Sequence, residues 1–191
     1  LLGGLGLLSL YFLLGRQSAL ICYGLLVLVV LAIDLTRLRV PAINQFIQTR
    51  FSSFIRKNEA NKLTGTAPYV LGIGLTLFFY RAHIAAAAVC FLAFGDVAAT
   101  TVGERYGRTK ISGEKSLEGT LAFVAAAMCV GVMIKILMNL NGISLPFSII
   151  FVGAVVAAVV ELLPLRMNDN LVIPVVSGGA MELIAQICGC A

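Results

Sequence analysis

The residues able to do chemistry are few, and they are gathered. In 191 residues there are 14 Lys and Arg, nine Asp and Glu, and one His. The densest stretch is Gly103-Glu104-Arg105-Tyr106-Gly107-Arg108-Thr109-Lys110-Ile111-Ser112-Gly113-Glu114-Lys115-Ser116, followed by Leu117-Glu118-Gly119. Glycines at 103, 107, 113 and 119 free the backbone for close approach to an anion, and Arg105, Arg108, Lys110 and Lys115 supply cationic donors. That combination suits phosphate, although basic character is also common in any loop on the inner side of a membrane. A Walker A loop is excluded, because five residues separate Gly107 from Gly113 and Glu114 stands between Gly113 and Lys115.

Carboxylates supply the second half of a site. Asp96 lies in Phe94-Gly95-Asp96-Val97-Ala98-Ala99-Thr100, inside an apolar run. An acidic side chain at that depth costs about 2.5 to 3.5 kcal/mol and needs a partner or a role. Thr100 stands one helical turn above it on the same face. A polar contact between helices is the plainer alternative. Glu161, Asn168, Asp169 and Asn170 surround Pro164 in a short turn, and hard oxygen donors of this kind bind magnesium beside nucleotide phosphates. Asn and Asp are also ordinary turn residues. A fourth patch, Arg56 to Thr66, carries Glu59, Lys62 and Thr64.

Other chemistries are ruled out by count. The lone His83 leaves no multi-histidine metal site and no nearby carboxylate for a Ser-His-Asp relay. Cys22, Cys90 and Cys129 sit in apolar segments, where cysteine behaves as a small hydrophobe. Cys188-Gly189-Cys190-Ala191 matches a prenylation box only formally, since glycine is not aliphatic.

The elements that must position these residues follow from composition. The chain is 60% apolar and 12% charged, with a mean hydropathy of +1.00. A soluble domain carries about a quarter charged residues, so a water-soluble enzyme is excluded. Apolar runs predict about seven spans, near Leu1–Leu14, Ala19–Leu35, Thr64–Tyr80, Ile84–Val102, Leu117–Met138, Pro146–Leu163 and Leu171–Cys190. The expected fold is an all-α polytopic transmembrane bundle forming one domain over 1–191, and the native N-terminus is expected to lie before Leu1. Counting connections alternately places eleven of the 14 basic residues on one side, which is then cytoplasmic, and leaves Arg16, Arg81 and Lys135 on the other. Eight of the nine acidic residues fall on the same cytoplasmic side or in the inner parts of spans, and Glu182 falls near mid-membrane, explained only by protonation or a pairing with Gln186. Residues 40–58 place Ile43, Phe46, Ile47, Phe51, Phe54 and Ile55 on one helical face, predicting an amphipathic helix on the inner leaflet. It is either a tilt-setting anchor or a rail for a lipid substrate.

Taken together, Gly95-Asp96, Gly103, Gly107, the run Lys115 to Phe123, Glu161, Asn168-Asp169-Asn170-Leu171 and Pro174 resemble the dolichol kinase, phytol kinase and CTP-dependent diacylglycerol kinase family. The resemblance covers about Arg56 to Pro174. It implies a membrane-embedded lipid kinase that uses CTP and magnesium, or another divalent cation, to phosphorylate an alcohol such as a polyprenol, phytol or diacylglycerol at the cytoplasmic leaflet. It implies that Asp96, Glu161 and Asp169 hold metal or orient the hydroxyl, with Asn170 beside them. Lys115 joins Asp96, Glu161 and Asp169 as the expected catalytic set. Lys62, Gly103, Arg105, Gly107, Lys110, Ser116, Glu118 and Gly119 are expected at the nucleotide, and Glu59, Thr64 and Thr100 at the wall of the site. The family usually carries a basic-and-histidine motif before its first span, and this chain begins after that point.

Partners are then the lipid alcohol, CTP and the bilayer; nucleic acid is not expected and a homodimer is left open. Two rivals stand. One is a cytidylyltransferase that makes a CDP-lipid, whose usual Ser-x-x-Lys-Arg and Asp-x-x-x-Asp segments are missing here. The other is a small ion-coupled transporter using Asp96 and Glu182.

Overall fold

A computed structural model describes residues 2–50, 64–113, 115–140, 142–164 and 167–189, except for the side chain of Gln48. Nine helices are formed by the described residues: α1 (Leu2–Leu14), α2 (Arg16–Arg39), α3 (Pro41–Arg50), α4 (Thr66–Phe79), α5 (Ala82–Cys90), α6 (Asp96–Tyr106), α7 (Leu117–Leu140), α8 (Phe147–Leu162) and α9 (Asp169–Ile187). One turn of π-helix, Phe91–Gly95, joins α5 to α6 without a break, so Ala82–Tyr106 is one rod of 25 residues. The all-α polytopic bundle follows. Four rods are long and apolar enough to cross a bilayer, Arg16–Arg39, Ala82–Tyr106, Leu117–Leu140 and Asp169–Ile187, and Leu2–Leu14, Thr66–Phe79 and Phe147–Leu162 are shorter apolar helices.

Several boundaries differ from the hydropathy reading, and the reason is the same each time. Charged residues end an apolar run without ending a helix. Thus α2 begins at Arg16 and continues through Asp34, Arg37 and Arg39, while the rod containing Asp96 continues through Glu104 and Arg105 to Tyr106. Pro41 opens α3, a position where its missing N–H is no loss. Only Pro41–Arg50 of the expected amphipathic helix is described, and it is helical; residues 51–58 lie outside the described residues. The turn from α1 to α2 requires Gly15, whose φ of 78° disfavours any residue with a Cβ.

Packing in the apolar layer relies on small residues. A Cβ on Gly95 would lie 2.6 Å from the Phe123 ring, and one on Gly131 or Gly153 would run into Ile150 or Met181, respectively, so these glycines let α7, α8 and α9 close on the central rod. Phe91 fills the middle, fully buried, beside Gly131 and Gly153. Leu25, Leu28, Leu121, Phe151 and Leu183 point outward as a lipid-facing surface. α4 and α9 run side by side in the same direction: a Cβ on Gly72 would lie 2.6 Å from the Asn170 carbonyl oxygen, and Tyr80 Oη donates to the Val175 carbonyl at 2.9 Å.

At the end of the bundle away from Asp169, basic residues are joined to helix ends. Arg16 donates to the Phe78 carbonyl at 2.6 Å and Lys135 to the Leu145 carbonyl at 2.8 Å. Arg81 Nε lies 2.7 Å from Glu182 Oε1. Glu182 is therefore the partner of an arginine 101 residues earlier, rather than of Gln186, one turn further along its own helix.

Candidate active site

The opposite end of the bundle carries a cleft of about 570 Å³. It is built from α6 upward. Asp96, Thr100 and Gly103 follow one another at helical spacing along α6, and Ala99 and Glu104 flank them. Because α6 runs on to Tyr106, Asp96 lies about 15 Å from the helix end at roughly 1.5 Å per residue, deeper than the apolar run alone implied.

The segment after α6 is a short β-hairpin rather than an irregular loop. β1 (Lys110–Ser112) pairs antiparallel with β2 (Lys115–Ser116), Gly113 turning between them at φ 58°. Glu118 fastens the base of the hairpin by accepting from the Thr109 N–H at 3.1 and 3.2 Å, and the Leu117 N–H returns to the Thr109 carbonyl at 2.9 Å. This geometry brings Lys110 and Lys115 to the cleft and starts α7 there. Ser116, 2% exposed, caps that start: its Oγ accepts from the Gly119 N–H at 3.1 Å. A Cβ on Gly103, Gly107 or Gly119 would lie 3.3, 2.6 or 3.2 Å from the same Oγ. The glycines of the motif thus serve a close approach of α6 to α7 around one serine, a packing role that their spacing in the sequence does not announce.

α8 and α9 supply the far wall. Glu161, buried, ends α8, and Asp169 begins α9 after a cap in which Asn168 Oδ1 accepts from the Asn170 N–H at 3.0 Å. Between them sits Lys115. Its Nζ donates to the Glu161 carbonyl, lies 3.0 Å from Asp169 Oδ2, and is 3.6 Å from Glu161 Oε1. Three elements distant in sequence are held by one ammonium. The starts of α7 and α9 both face this place, and a helix start favours an anion.

Of the residues expected at the site, Asp96, Thr100, Gly103, Lys110, Lys115, Ser116, Gly119, Glu161 and Asp169 line the cleft. Arg105 is exposed and outside the lining; Gly107 packs on Ser116; Glu118 is engaged at the hairpin base; Asn170 lies in the first turn of α9, also outside the lining. Glu59 and Lys62 lie outside the described residues. Thr64 is elsewhere: its N–H and Oγ1 both donate to Asp34 Oδ2, at 2.7 and 2.8 Å. Asp34 Oδ1 accepts from Arg37 Nε at 2.8 Å, and both side chains are almost fully buried. Glu104 and Thr120 line the cleft without being among the expected residues; Glu104 was legible as a charge in the glycine-rich stretch, and Thr120 as the hydroxyl one turn after Ser116.

The donor set suits one kind of metal. Among the described residues no three Asp, Glu, His or Cys side chains are grouped as a cage. Magnesium in nucleotide sites is held by one or two carboxylates together with phosphate oxygens and water, and the carboxylates of this cleft fit that sharing mode. Four carboxylates and two lysines line it, an excess of negative charge that a polyphosphate meets only together with a cation.

An apolar helical bundle with a polar, lysine-bridged cleft at one end defines an integral membrane protein with a charged site at one end of its helices. Comparison with known proteins identifies which. The chain is 30% identical over 161 residues, 79% of its own length and 74% of the relative's, to "CTP-dependent diacylglycerol kinase 1" of Schizosaccharomyces pombe. It is 28% identical over 183 residues to the protein of that name in Saccharomyces cerevisiae, covering 86% of this chain and 62% of the relative. With the Eremothecium gossypii protein of the same name it shares 36% over 106 residues, 54% of this chain and 32% of that one. The chain belongs to the CTP-dependent diacylglycerol kinase family. No family model matches it and no solved structure matches it.

Proposed function

We propose that this protein transfers the γ-phosphoryl group of CTP to the hydroxyl of a membrane alcohol, with diacylglycerol as the acceptor, in a cleft that faces the cytoplasm. The observation that carries this reading is Lys115, fixed between the ends of α8 and α9 at 3.0 Å from Asp169 and beside the starts of two helices. The relatives' names supply the nucleotide and the acceptor. In the reaction the bond between the γ-phosphorus and the β-bridging oxygen breaks, a bond from phosphorus to the lipid oxygen forms, CDP leaves, and the hydroxyl proton passes to a carboxylate. Asp96, a partly buried carboxylate in the cleft wall, takes that role. Lys115 and Lys110 neutralise the triphosphate, helped by the positive dipole end of α7, since phosphoryl transfer depends on positioning and charge stabilisation. Glu161 and Asp169 would supply oxygens for a divalent cation, which when bound neutralises charge developing on the phosphates. Glu104 and Thr120 complete the rim.

The test is a panel of nucleotides against diacylglycerol, phytol and a polyprenol, using the full-length protein in detergent, with products identified. CDP together with phosphorylated diacylglycerol is expected; release of pyrophosphate would overturn the reading in favour of cytidylyl transfer. Asp96→Asn and Lys115→Ala are each expected to lower the rate by about 100-fold or more, the range found when a preorganised electrostatic group is removed. Wild-type rates in both would sink the residue assignments.

A further inference from the structure

Lys115 stands where a cation of another kind belongs. Its ammonium has three N–H donors. The Glu161 carbonyl and an Asp169 oxygen at 3.0 Å accept two of them, and a Glu161 carboxylate oxygen at 3.6 Å lies beside the third. Glu161 is buried, while the Lys115 and Asp169 side chains are 28% and 37% exposed, so water screens the Glu161 side of this arrangement least. A divalent ion drawing on Glu161 and Asp169 would sit about 2 Å from their oxygens and so directly against the ammonium. The two cations cannot share that space without strong repulsion.

We propose that Lys115 is the resident counter-ion of the cleft, holding Glu161 and Asp169 until a triphosphate arrives, so that a divalent cation enters only in company with the nucleotide. The inference rests on the nucleotide-binding reading above. The phosphate oxygens give the ammonium new acceptors for those it surrenders, and the carboxylates it releases pass to the metal. Cytidine without phosphates offers no such exchange. Metal and triphosphate then strengthen one another's binding, and by linkage that reciprocal coupling is carried by the one side chain that must move.

Manganese binding to the full-length protein in detergent tests this, read as manganese carried with the protein through a desalting column equilibrated with or without CTP, and not from activity. Wild type is expected to retain manganese only when CTP is present. Lys115→Met is expected to retain it without nucleotide, at least about tenfold more tightly than wild type, as befits loss of a charge-assisted contact, and to gain little from added CTP. Lys115→Arg keeps the charge and is expected to behave as wild type, which separates the effect from a general disturbance of folding. Nucleotide-free retention by wild type equal to that of Lys115→Met would overturn the proposal. So would identical behaviour of the Met and Arg variants. If CTP changes nothing in wild type while Lys115→Met still gains nucleotide-free binding, the counter-ion role stands and the nucleotide reading falls.

Discussion

Asp34 and Arg37 are 2% and 1% exposed, as enclosed as the aromatic residues of the core, although both are charged. Asp34 accepts from Arg37 on one oxygen and twice from Thr64 on the other, so its burial is matched by hydrogen bonds. Removing Asp34 takes the carboxylate from a buried guanidinium that keeps its contact with Asn44 Oδ1 at 3.4 Å, a loss of about 3 to 5 kcal/mol, whereas replacing both charged residues with apolar ones of similar volume is near neutral. Asp34→Leu is therefore expected to lower the unfolding midpoint in detergent sharply, and Asp34→Leu with Arg37→Met to recover most of it. Ser116→Ala removes a helix cap and is expected to cost about 1 kcal/mol, read in the same melt. The sequence exposed Asp34 and Thr64 as polar residues near an apolar boundary, but nothing local ties positions 30 apart. Lys115, Glu161 and Asp169 were legible individually because charge is rare here; their sharing of one ammonium depends on how α8 returns into α9.

Among the elements, the long helices were the most legible, since an apolar run of span length satisfies its own backbone in hydrocarbon only by coiling into a helix. Less legible were the turns of structure whose signal is short. The hairpin of β1 and β2 has two residue pairs and reads equally well as loop, and Phe91–Gly95 carries no mark of its π geometry. Single π turns inside α-helices occur frequently at functional sites, and this one immediately precedes Asp96. Its last residue, Gly95, packs against Phe123, where a methyl group would come within 2.6 Å of the ring. Gly95→Ala is accordingly expected to destabilise by about 1 to 3 kcal/mol, the usual effect of overpacking. Adding Phe123→Leu is expected to restore part of the stability, which a thermal melt of the double variant would show.

The whole molecule is asymmetric in how it uses charge. The cleft end gathers carboxylates and lysines into one volume, while at the other end Arg16, Arg81 and Lys135 are engaged by two backbone carbonyls and Glu182. Glu182→Gln is expected to lower stability while leaving CTP-dependent turnover and its product unchanged, because Glu182 holds the α4–α5 turn to α9 far from the cleft; a loss of turnover greater than the loss of folded protein would contradict this. In a background without native cysteines, Lys110→Cys is expected to react with an impermeant maleimide only from the cytoplasmic side and Ile143→Cys only from the opposite one. The gathering of polar residues on one side was legible from the basic connections, whereas the latch at the far end was not, for its two members are 101 residues apart. One last consequence follows from the π turn. It contains one residue more than an α-helical path needs, so it sets the phase between the two ends of a 25-residue rod. Deleting one residue there would let the segment return to a regular α path with both ends still in phase, whereas winding all five residues as α-helix would turn Asp96 by about 100° relative to the residues before Phe91. The surplus residue and the wide turn go together, and straightening the turn while keeping the residue is what would carry Asp96 away from the cleft.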